Sequence, residues 1–76
     1  MAAQQVFVIP VGTFWAVKVN GTTIGDTHRT QALAVSAART WLQQHSGGEL
    51  VILGQDGKIR DKDTVYPGND PRNTRG

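Results

Sequence analysis

One stretch of this chain has helical periodicity, and everything on either side of it reads as strand or turn. Thr30 is a good N-cap, and the segment after it runs to about Ser46 before Gly47-Gly48. At 100° per residue, Ala34, Ala37, Ala38, Trp41, Leu42 and His45 fall on one side. Alanine dominates that side, so the helix can lie close against a sheet, with Trp41 and Leu42 as its bulky contacts. A chain of 76 residues supports one small core. With no cysteine to staple it, a single helix laid across a sheet is about the largest architecture it can hold.

The flanking segments supply the sheet. Gln5 to Val11 predicts a first strand, rich in β-branched and aromatic residues and closed by Pro10 near its end. Phe14 to Val19 predicts a second. Its alternation sends Trp15, Val17 and Val19 to one face and Phe14, Ala16 and Lys18 to the other. One of the two aromatics is therefore expected to be exposed. Asn20-Gly21 is a turn signal, and Thr22 to Ile24 predicts a short third strand ended by Gly25-Asp26. After the helix, Glu49 to Leu53 is the next strand, and Asp56-Gly57 turns it into Lys58-Ile59-Arg60. The expectation is an α+β fold, β-β-(β)-α-β-β, with a small antiparallel sheet of three to four strands and one helix packed on one face. Residues 1–66 form the single domain of this reading, and residues 67–76 a flexible C-terminal tail.

Three quoted stretches carry a resemblance. "FWAVKVNG", "DTHRTQALAVSAAR" and "GGELVILGQDGKIRDKDTVYPGNDP" resemble a family of small bacterial and phage proteins known only as domain of unknown function 2188. The likeness covers roughly residues 5 to 71, and its most specific part is Gly48 to Asp63. The chain departs from the family pattern at Phe14, where glycine is usual, and at "VYPG", where the family tends to read "D-T-Y-G". The resemblance implies a compact α+β domain and no catalytic residue that can be carried over.

Charge narrows the function classes. The pI is near 9.5, yet the formal net charge is only +2. Residues 46–76 hold equal numbers of acids and bases, so no segment is a basic block of the kind that tracks phosphates. No apolar run is long enough to cross a bilayer and no signal peptide is evident, which makes the cytoplasm the expected compartment. His28 and His45 are the only histidines, too few for a zinc site without cysteine. Neither a nucleophile with its base nor a phosphate-binding glycine loop is visible. No enzyme, cofactor, metal or small-molecule substrate is expected.

Several segments have both a structural and a functional reading. In "IRDKDT", Asp61 and Asp63 offer oxygens to a divalent cation, but Arg60 and Lys62 stand between them and favour a solvated, self-neutralising strand extension or turn. In "YPGNDP", Tyr66 is either an amphipathic anchor or a cover for the open edge of the core. On the outer helix side, Ala32, Ser36, Arg39, Thr40 and Gln43 face solvent with Leu33 and Val35 on the flanks. That surface carries little charge for a solvated helix. The leading expectation is a small non-enzymatic protein-binding module, acting alone or as a dimer. Small phage or mobile-element proteins that bind and inhibit host machinery fit the description. The residues expected to meet the partner are Phe14, Lys18, Leu33, Val35, Arg39 and Tyr66. The alternative is a nucleic-acid-binding domain using the sheet face through Phe14, Lys18, Lys58 and Arg60.

Overall fold

The computed structural model describes residues 4–67. Five strands and one helix follow in the order β1 (Gln5–Val11), β2 (Phe14–Val19), β3 (Thr22–His28), α1 (Gln31–Gln44), β4 (Gly48–Leu53) and β5 (Ile59–Val65). They form one sheet of order β3-β2-β1-β4-β5, with the helix across one face. The class is α+β, as the sequence predicts, but the expected antiparallel sheet of three to four strands is corrected. There are five strands, and β1 pairs with β4 in parallel, from Gln5 opposite Glu49 to Val8 opposite Ile52. The other neighbours are antiparallel.

The parallel pair follows from counting reversals. Two hairpins leave β3 running in the direction of β1. The helix, roughly 21 Å long for its 14 residues, matches the length of a seven-residue strand and returns the chain to the end where β1 began. The next strand therefore starts beside the start of β1 and runs with it. The third strand also outlasts its expected end at Ile24. Gly25, at φ +66°, is absorbed where the register between β2 and β3 shifts, between Trp15 and Val17. The last strand continues to Val65, well past the expected Arg60. The expected tail lies, from residue 68 on, outside the described residues.

The helix ends are built locally. The Leu33 N–H donates to Thr30 Oγ1 at 3.1 Å, which confirms the cap. At the other end the Gly47 N–H donates to the Leu42 carbonyl at 2.6 Å, and Ser46 shares the positive φ that Gly47 adopts. The helix stops at Gln44, two residues short of the expected end. Gln4 then ties this corner to the sheet. Its side-chain amide donates to the carbonyls of His45 and Gly47, and its own carbonyl accepts from the Glu49 N–H at 2.8 Å.

Strand alternation sorts the core. Val6, Val8, Trp15, Val17, Val19, Leu50 and Val65 point to the helix and meet Ala34, Ala38 and Leu42, all buried. Trp41 and Ala37 pack at the margin. His45, expected on the inner side, is exposed instead; its ring stacks on Trp41 at 3.9 Å, and its Nδ1 lies 2.8 Å from the Trp41 carbonyl.

Candidate functional site

The central strands pose the functional question. β1 reads QVFVIPV and β4 reads GELVIL, apolar at both parities. Such runs belong to strands covered on both faces. Here α1 covers one face only. Val6, Val8 and Leu50 are taken up by the helix, while Phe7, Ile9, Val51 and Leu53 point the other way.

The registers place that second face in rows across the sheet. One row reads Thr23, Lys18, Phe7, Val51, Lys62 from β3 to β5. The next holds Ala16, Ile9 and Leu53, then Ile59 across the shift in register. Beyond it Val11 pairs with Phe14. Val11, Phe14 and Ile59 are 45%, 47% and 60% exposed, and Phe7, Ile9 and Leu53 are half-buried. On the opposite side of the lysine row lie Gln5, Glu49 and Thr64. Gln5 donates to Glu49 Oε1 at 3.1 Å.

The same alternation re-sorts "RDKD". Neighbours in sequence become opposites in space on a strand. Lys62 pairs with Val51 and shares its helix-free face, whereas Asp63 pairs with Leu50 and turns to the helix layer. There Arg39 Nη2 donates to Asp63 Oδ2 at 2.8 Å. That hydrogen bond, reinforced by the guanidinium charge, holds the Asp63 carboxyl below its ordinary value. Both side chains are over two-fifths exposed, so the pair orients β5 more than it stabilises it. Because the folded value is the lower one, the pair's small contribution is present above the unfolded value and fades as pH falls through the folded one. Arg60 stands with Ile59 beside Leu53, where β5 carries an extra residue. Lys62 is thus separated by the sheet from Asp61 and Asp63, its neighbours in sequence, with the lysine on the open face.

The six residues expected at a partner site do not form one site. Phe14 and Lys18 share the open face. Leu33 is exposed on the helix, Val35 packs against the core margin, and Arg39 is engaged with Asp63. Tyr66 is 70% exposed, so it does not cover the edge of the core. It borders a shallow depression with Glu49, Lys62 and Thr64. Lys58 lies in the β4–β5 turn, where its N–H donates to Asp56 Oδ1 at 3.1 Å. Sequence reading missed Phe7, Ile9, Val11, Leu53, Ile59 and Lys62. The signal was there, in central runs apolar at both parities beside a single helix.

A separate crevice of about 280 Å³ lies between α1 and β3, lined by Val17, Ile24, Ala37 and Trp41 with Asp26 and His28 on its β3 side. Among the described residues no three His, Asp or Glu side chains gather as a metal site would require, and no helix is long and apolar enough to cross a membrane.

A protein-family model described as "Uncharacterized protein conserved in bacteria (DUF2188)" matches residues 6–65. No curated protein and no solved structure matches the chain.

Proposed function

The chain belongs to the DUF2188 family, an uncharacterised bacterial family that assigns no chemistry, and from its surface we propose a non-enzymatic protein-binding domain that docks through the helix-free face of its sheet. One observation carries this reading. The central strand β1 and its neighbour β4 carry apolar residues on both faces, and among the described residues only one face has a cover. On the helix-free face Phe14, Val11 and Ile59 stand close to half exposed or more, around a centre where Val51 and Ala16 are themselves buried. Contiguous apolar surface of this kind on a small domain marks an interaction site, and aromatic anchors of the Phe14 type dominate interface energies. The outer helix side supports the reading less, because its charged residue is paired within the chain and Val35 already serves the core margin.

Site-specific photocrosslinking in bacterial cells carrying the gene tests the placement. A photoreactive phenylalanine analogue at position 14 or 59 is expected to give discrete protein adducts, and the same analogue at position 33 none. Adducts from position 33 alone, or from no position, would contradict the proposal.

A further inference from the structure

Resting on that docking face, we propose that its occupant is an acidic, amphipathic segment of another protein, seated with carboxylates at Lys18 and Lys62 and apolar side chains over the rows between and beyond them. Strand alternation sorts the charges between the two faces. The open face carries Lys18 and Lys62, with Glu49 one row away, where it accepts from Gln5. Lys18 on β2 and Lys62 on β5 lie in the same row, with Thr23 beyond Lys18 on β3. At about 4.8 Å per strand their backbones stand roughly 14 Å apart, and Phe7 and Val51 fill the gap. A partner covering this row meets two cations flanking an apolar centre, so it is favoured by negative charge on its rim.

A second copy of this chain fits the face poorly. If two such sheets stack about an axis parallel to the strands, each row meets its own copy in reverse: centred between Lys18 and Lys62 it sets lysine against lysine, and centred on β1 it sets Lys18 against Val51 and Lys62 against Thr23, so neither ammonium meets a carboxylate. An axis across the strands at mid-sheet brings the lysine row onto the Ile9 and Ile59 row, burying ammonium groups against aliphatics without partners. Single-stranded nucleic acid fits poorly for a different reason. The two phenylalanines lie four positions apart along the strands, since Phe14 pairs with Val11. That is roughly 13 Å, too far for rings that stack successive bases, and the space between them is aliphatic.

Panning the full 76-residue chain against a displayed library of short random peptides tests the assignment. Enriched peptides are expected to combine aliphatic or aromatic residues with an excess of Asp and Glu over Lys and Arg. Their binding should weaken on Phe14→Asp/Ile59→Asp, and by about tenfold or more on Lys18→Glu/Lys62→Glu. Circular dichroism checks that both variants fold. Enrichment of uncharged or basic peptides that still need Phe14 and Ile59 would overturn the acidic partner and leave the docking face standing. Absence of any enrichment sensitive to Phe14→Asp/Ile59→Asp would overturn both. Light scattering that finds a dimer dissolved by those substitutions, or tight binding of a labelled oligothymidylate, would give the face to a second copy or to nucleic acid and overturn the assignment.

Discussion

Leu42→Ala is expected to lower the stability of the domain by about 3 kcal/mol. Leu42 has no exposed surface, and the helix otherwise offers the core only Ala34 and Ala38 as fully buried side chains. Alanines let α1 lie close to the sheet, but they leave little to collapse into the space a leucine vacates. The lost transfer energy is therefore joined by the cost of a lasting cavity. A domain of this length has a total stability of roughly 4–11 kcal/mol, so one substitution removes a large share. Urea denaturation should show a lower midpoint at unchanged slope. Ile59→Ala is the matched control. Ile59 is 60% exposed on the open face, and its loss should change stability by no more than about 0.5 kcal/mol. Equal losses for the two variants would mean that the open face also belongs to the core.

Gly48→Ala should cost a comparable amount, about 3 kcal/mol, through backbone rather than packing alone. Gly48 sits at φ +152°, where β4 begins beside β1. An added Cβ would overlap the Gln4 carbonyl oxygen and press on Gln4 Cγ at 2.8 Å and Leu42 Cδ2 at 3.0 Å. The Gln4 carbonyl is the one that accepts from Glu49 at the start of the parallel pair. Relief of the clash therefore breaks that hydrogen bond, shifts β4 or displaces Leu42. For a domain of this size the melting temperature should fall by roughly 12–24 °C. Gly25→Ala separates the two causes. Gly25 also has a positive φ, but nothing lies within 4 Å of its missing Cβ, so conformational strain alone should cost it about 1 kcal/mol. Equal losses at the two glycines would show that φ, and not the approach of β1, governs Gly48.

Local features of the fold were legible in the residues. The Thr30 cap, the buried Trp15 beside the exposed Phe14, and the turn at Asp56-Gly57 each depend on a few neighbouring positions and on one period. In that turn the Gly57 N–H donates to the Gly54 carbonyl at 2.9 Å, with Gly57 at φ +82°. What escaped depends on distance along the chain. Nothing within β1 or β4 states that they pair, and the parallel direction appears only when the strand reversals and the helix length are counted together. Gly25-Asp26 has the composition of a strand end, yet the strand passes through it because a register shift accommodates the glycine. The candidate face escaped for a related reason. "RDKD" reads as self-neutralising along the chain, and only a strand carried on to Val65 separates its charges onto two faces.

The central claim is that the helix-free face is kept for a partner. Hydroxyl-radical footprinting measures this most directly, by comparing the purified protein with the same protein in bacterial lysate. Side-chain oxidation at Phe7, Phe14 and Ile59 should fall in the lysate while Leu33 on the helix stays equally reactive. Unchanged oxidation at Phe14 and Ile59 with protection at Leu33 would contradict the account and move the interface to the other layer.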